Sequence, residues 1–308
     1  MLLVVLPFTD REVPLVLKNL ALVKKMDGVL QNRILMTYEE GTQRVAEVKK
    51  AVLEVFPNSF YHVYHRGPSG WPSGPNHAFK CTAWHIGELM KKEKTKESWL
   101  WWEADAVPLC KGWLEILNAA HVAGGRPFSG HVVGGMEHMN GVGIYPPDVR
   151  EFSIRAMTSI NTPWDVNMKA DTQAITHPIN HLILHYWNIH EGKNFNGPSG
   201  VPLTVSNRKE LSHWTTPESV LLHRCKDGSV ADVLLQDENQ KTADEPIAAA
   251  APVSDVAPAV ARKKRPYRRR QKAPVGAKLP PDGGGDAQRV AGKLPEPARI
   301  GGEDSGAD

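Results

Sequence analysis

Ser98-Trp99-Leu100-Trp101-Trp102-Glu103-Ala104-Asp105-Ala106-Val107-Pro108 decides how this chain is read. Trp99 to Trp102 is an unbroken run of large apolar side chains, as expected of an interior strand in a parallel sheet, and it stops abruptly at two acids. In such sheets ligands sit beyond the carboxyl ends of the strands. Glu103 and Asp105 therefore stand where a ligand would be held. Carboxylates at this spacing suit a hard divalent cation, Mn²⁺ or Mg²⁺. They also suit a solvated strand-ending turn, but the apolar flanks on both sides favour the ligand-binding reading.

Upstream, the pattern alternates between strand and helix. Leu2 to Leu6 is an apolar run closed by Pro7, and Thr9 or Asp10 is placed to cap a helix over Arg11 to Lys25. Strands are predicted at Asn32–Tyr38 and Phe60–Tyr64, with a helix over Thr42–Phe56 between them. A Gly/Pro-rich loop, Gly67 to Pro75, leads to a helix over Asn76–Lys91. This order implies right-handed crossovers and a mostly parallel sheet flanked by helices, an α/β domain. Downstream the elements are less regular. Pro147–Met157 and the part of Asp171–His190 beyond Pro178 read as helical, and a last short strand covers Ser219–Leu222.

Further groups of residues carry possible chemistry. His223 closes that last strand, where a neutral imidazole can join Glu103 and Asp105 on a metal, and Arg224 or Lys226 can face a diphosphate. The turn before the predicted third helix presents a helix N-terminus, which favours anions, with Asn76 and Lys80 one turn apart. Gly141 and Gly143 lie in a glycine-rich stretch that lets backbone approach a ligand. Asp165 follows Trp164, and a carboxylate under an aromatic ring holds its proton more tightly and can serve as a general base; a helix N-cap fits equally well. His177, His181 and His185 recur every four residues and would line one helix face, as packing residues or as a zinc site.

Composition sets the frame. The chain has 308 residues, 41% of them hydrophobic, but from about residue 236 it turns to Ala, Pro, Gly, Lys, Arg and Asp. Such a stretch cannot bury enough apolar surface to offset the entropy of ordering it, so the folded domain is expected over 1–235 and a disordered tail over 236–308. The net charge of +3 is small, yet eight of the eleven residues from Arg262 to Lys272 are Lys or Arg. Cys81, Cys110 and Cys225 show no zinc-type spacing and suggest a reducing cytoplasm. MLLVVLPF reads as a buried strand and not a secretion signal, and no apolar run is long enough to span a membrane.

Taken in order, these features resemble the GT-A (Rossmann-like) fold of nucleotide-sugar glycosyltransferases, over about residues 2–228. Leu3 to Asp10 looks like that family's first strand and nucleotide-facing loop. Glu103 and Asp105 resemble its D-x-D metal motif with Glu in first place, Gly141 and Gly143 its acceptor loop, Trp164-Asp165 the motif bearing its catalytic base, and His223 its C-terminal metal ligand. The resemblance implies transfer of a sugar, a hexose by expectation, from a UDP-sugar to an acceptor hydroxyl. Glu103, Asp105 and His223 would hold Mn²⁺ or Mg²⁺. Thr9, Asp10, Asn76, Lys80 and Lys226 would meet the nucleotide or sugar, and Asp165 would take the acceptor proton.

The tail adds a partner. Arg262, Lys263, Lys264 and Arg265, then Pro266-Tyr267, then Arg268, Arg269 and Arg270, loosely resemble an AT-hook. Such a cationic run would bind DNA through its phosphates. Together the two resemblances imply modification of hydroxymethylated bases in DNA, as in some phages. The alternatives are a glycan- or lipid-directed transferase, a non-catalytic nucleic-acid-binding protein on the same fold, and a zinc hydrolase built on the three spaced histidines.

Overall fold

The structure is a computed structural model that describes residues 1–134, 137–152, 161–185 and 203–236. The described residues all fall within one compact unit, Met1–Glu245. The basic segment 262–272 lies outside the described residues.

The first half follows the expected alternation: β1 Leu3–Pro7, α1 Val13–Asp27, β2 Ile34–Glu39, α2 Val45–Val55, β3 Ser59–Tyr64, α3 Ser73–Glu93 and β4 Trp99–Trp101. Strand β5 Val107–Pro108, helix α4 Trp113–Gly124 and strands β6 Phe128–Val132 and β7 Met139–Tyr145 come next. Two short helices, α5 Trp164–Asn167 and α6 Lys169–Thr172, precede β8 Thr176–Pro178 and β9 Ile183–His185. Helix α7 Arg208–Ser212, strand β10 Leu221–His223 and helix α8 Ser229–Gln236 complete the described elements.

Seven strands form one sheet in the order β3-β2-β1-β4-β7-β6-β8. Only β7 runs antiparallel to its neighbours β4 and β6; the remaining pairs are parallel. Strand alternation distributes the core over two faces. Val4 and Leu6 pack with Val16, Leu20, Val52 and Leu117 from α1, α2 and α4. Leu3, Val5, Trp99 and Trp101 pack with Phe79, Ala83 and Ile86 from α3. This is the α/β, mostly parallel, helix-flanked sheet predicted from the sequence. A second sheet, β5-β10-β9, packs on α8 through Val107, Leu222, Val230 and Leu234.

One helical expectation is overturned. Residues 176–185 form β8 and β9 joined by a turn, because β8 pairs with β6 and β9 with β10. His177, His181 and His185 therefore share no helix face, and no zinc group forms from them among the described residues. In 147–157, the described part holds a single 3₁₀ turn, Val149–Glu151; residues 153–160 lie outside the described set. The stretch 124–143 is largely β6 and β7, so Gly141 and Gly143 belong to a strand and not to a loop.

Candidate metal centre and catalytic cleft

The turn after β4 is fixed from three sides. Ala106 N–H donates to Glu103 O at 3.0 Å, Asn19 from α1 donates to Ala104 O and Ala106 O at 2.9 and 3.2 Å, and Trp102 Nε1 donates to Ala106 O at 2.8 Å. Cys225 N–H, just past β10, donates to Asp105 O at 2.8 Å. That bond ties the acidic turn to the end of β10. As a result Glu103, Asp105 and His223 converge, with ligand atoms all within 4.8 Å of one another. His223 Nε2 lies 3.0 Å from Glu103 Oε2 and 3.2 Å from Asp105 Oδ1.

The imidazole is oriented from behind. Its Nδ1–H donates to Asn140 Oδ1 at 2.9 Å, which leaves Nε2 to face the two carboxylates, as metal-binding histidines are commonly held. Glu103 is further steadied by Trp101 Nε1, 3.1 Å from Oε1. Burial disfavours a charged His223, but the Asp105 carboxylate and the bonds to both acids outweigh it and raise its pKa to about 9. Burial likewise opposes ionised Asp105, and the charge of His223 overcomes it, so its pKa is lowered. Without a cation, a proton on His223 neutralises part of the charge. Two hard oxygen donors and one nitrogen in this arrangement fit Mn²⁺ or Mg²⁺.

These residues floor a cleft of about 580 Å³. Asp165 stands on another wall, in the first turn of α5. Helix α5 is placed by Asn76: its Nδ2 donates to Thr162 O and its Oδ1 accepts from Trp164 N–H, both at 2.8 Å. Trp164 then stacks flat on Phe79, with centroids 3.7 Å apart. Desolvation raises the Asp165 pKa to about 6, and Glu103 adds to the shift. Its Oδ1 accepts from Val166 N–H at 2.9 Å. Lys226 and Arg224 line the rim, giving the cleft two cations beside its acids.

Other expected contacts stand elsewhere. Asn76 bonds the segment leading into α5 with both ends of its amide, and it is not among the residues lining the cleft. Thr9, Asp10 and Lys80 are not among the residues lining the cleft. Thr9 donates through N–H and Oγ1 to Glu12, and Asp10 accepts from Gln43 and Arg44 N–H at the start of α2 instead of capping α1. Lys80 is on the exposed face of α3. Gly141 does line the cleft; a Cβ there would lie 3.0 Å from Glu103 Oε1 and 3.2 Å from the Trp164 ring. Gly143 contacts β6 and Met139. Sequence reading missed Asn140, His138 and Glu12, and took His185 for part of a spaced histidine set and not for a residue of this cleft. Asn140 and His138 gave no local signal, because their partners lie 83 and 27 positions away. Glu12 was visible as a capping-box acid three residues after Thr9.

No protein family model matches the chain, and no curated protein does. Among solved structures it is similar to mouse xyloside xylosyltransferase 1 (TM-score 0.46, 9% identity, 72% of this chain and 97% of that one). It is also similar to the galactosyltransferase LgtC in complex with donor and acceptor sugar analogues (0.46, 9%, 76% and 94%). A third is S. aureus TarS in complex with UDP-GlcNAc (0.38, 13%, 58% and 56%). At these values the likeness says nothing of substrate or mechanism. Among the described residues, no helix is long and apolar enough to cross a membrane.

Proposed function

We propose that this chain is a metal-dependent glycosyltransferase that moves a sugar from a nucleotide-sugar donor to an acceptor hydroxyl. The observation that carries this reading is the convergence of Glu103, Asp105 and His223 across a cleft from a buried Asp165. A divalent cation held by the three would offset charge on the donor diphosphate. Lys226 and Arg224 face the same charge from the rim. Asp165 is the base: burial raises its proton affinity toward neutrality, where it is still largely ionised at pH 7 and can accept a proton from an alcohol. A diphosphate needs no acid to leave, so one carboxylate suffices for an inverting reaction.

A panel of UDP-sugars with Mn²⁺ tests this by thermal stabilisation and by release of UDP. Asp105→Ala should abolish both. Stabilisation and turnover that persist in that variant, or the absence of either for every donor, would refute the reading. For the acceptor, the eight cations in 262–272 favour DNA, and hydroxymethylated bases offer the hydroxyl. Transfer to a hydroxymethylcytosine oligonucleotide, compared with an unmodified one and with the chain shortened to residue 236, decides that part. Shortening should weaken oligonucleotide binding and flatten its salt dependence. Equal affinity at all salt concentrations would remove the tail from the account.

A further inference from the structure

His138 lies just before β7 and lines the cleft beside Asp165. Val133 N–H donates to its backbone carbonyl at 2.9 Å, which fixes its backbone. Its Nε2 is 3.7 Å from Asp165 Oδ2, and the two side chains are only 7% and 15% exposed. Asp165 Oδ1 is occupied by Val166 N–H, so Oδ2 is the oxygen turned toward His138.

The other ring nitrogen settles where the proton sits. His138 Nδ1 is buried and has no hydrogen-bond partner. A neutral imidazole carries one N–H, and a buried N–H without an acceptor is a costly orphan. The proton therefore belongs on Nε2, facing Asp165. The separation of 3.7 Å is too long for a hydrogen bond between them. An oxygen set to one side can reach both atoms at ordinary hydrogen-bonding length.

We propose that His138 is an acceptor-binding residue whose Nε2–H, together with Asp165 Oδ2, grips a single alcohol oxygen in the cleft. The hydroxyl accepts from His138 and donates to Asp165. In the reaction the O–H bond breaks and its proton passes to Oδ2. The oxygen forms a bond to the anomeric carbon, and the bond from that carbon to the diphosphate breaks with its electron pair leaving on the diphosphate. His138 keeps its proton throughout and orients the attacking lone pair. The identity of the gripped oxygen rests on the glycosyl-transfer reading; the arrangement of the two side chains does not.

Two measurements test this on the full chain. Long-range ¹H–¹⁵N spectra of histidine-labelled protein, with His138 assigned by loss of its signals in His138→Gln, should show the Nε2–H tautomer; an Nδ1–H tautomer overturns the proposal. Hydrolysis of UDP-glucose with Mn²⁺, in which water takes the place of the alcohol, then reads the donor role. His138→Gln places an amide N–H near the Nε2 position and should stay within about threefold of wild-type kcat, whereas His138→Asn, which replaces Nδ1 instead, should lose about tenfold or more with KM for UDP-glucose unchanged. Equal rates for the two variants, both folded by circular dichroism, overturn the donor role. A wild type inert toward every UDP-sugar of the panel counts against glycosyl transfer, and the tautomer still decides the arrangement.

Discussion

Asp165→Asn should make the protein inactive and more stable at once. The Asp165 carboxyl has its pKa raised from 3.8 to about 6, first by burial and then by the charge of Glu103. A carboxyl with a raised folded pKa supports the fold most when protonated. That contribution is fully present below pH 3.8 and is lost as pH rises through about 6. At about 1.4 kcal/mol per tenfold change in proton affinity, ionised Asp165 costs the metal-free fold about 3 kcal/mol at pH 7. An amide keeps the bond from Val166 N–H and carries no charge. Its NH₂ faces His138 Nε2 across 3.7 Å, which takes back part of the gain. For a domain of this size the net effect is a rise in Tm of roughly 5–10 °C at pH 7. The assay is thermal unfolding of wild type and Asp165→Asn in EDTA from pH 4 to 8, read as the difference between the two. That difference should be near zero at pH 4 and grow to its plateau above about pH 6. A difference that does not change with pH, or a variant less stable at pH 7, would refute the claim that Asp165 is held ionised at a cost for catalysis.

Proton release should accompany cation binding, because His223, held protonated up to about pH 9, must give up its proton to ligate. Apparent Mn²⁺ affinity should therefore rise with pH between 7 and 9, by up to about tenfold per pH unit, and calorimetry in buffers of different ionisation enthalpy should register the released proton. Gly141→Ala should leave the fold intact and weaken Mn²⁺ binding severalfold in the same calorimetry, since the added methyl must displace Glu103 Oε1 or the Trp164 ring. Asn76→Ala should destabilise the chain by about 2–4 kcal/mol in urea unfolding, as Trp164 N–H loses its acceptor and α5 its tie to α3. It should also slow turnover by displacing Asp165. Asp105→Asn should abolish the Mn²⁺-dependent rise in Tm, because one ligand then carries no charge.

The first half of the fold was readable because its signals are local. The strand–helix alternation through β4 follows from runs of apolar residues and helical spacing within single elements, and the structure moves most of those boundaries by only a few residues. The second half depends on pairing between distant segments. Ile179, Leu182 and Ile183 carry helical spacing, but β8 and β9 are each three residues long and take their form from β6 and β10. Runs that short do not separate strand from helix. The same division runs through the site. Glu103 and Asp105 announce themselves at the end of a buried strand, and His223 at the end of another. Asn140 orienting His223, or Asn76 holding Trp164, is a contact between residues more than eighty positions apart, and nothing near either asparagine in sequence signals it.

Repulsion among the acids of the cleft is a reason it would accept a cation. Glu103 and Asp105 both raise the proton affinity of Glu12, after burial, and Glu103 does the same for Asp165. Glu103 thus presses on both Glu12 and Asp165, and Asp105 on Glu12, in a partly buried space, where charge is poorly screened. A fold that needed only structural polar groups here would do better with amides, which carry no mutual repulsion. In the metal-free chain a protonated imidazole, His223, answers the two nearest acids, and Arg224 and Lys226 add positive charge near Asp105. A divalent ion held by Glu103 and Asp105 would answer their charge and free His223 to act as a neutral ligand. Asp165 would then lose part of the repulsion from Glu103 and stay ionised to lower pH. On the proposed reading, binding the cation and arming the base would be one electrostatic event, with the acidic turn after β4 as its common cause.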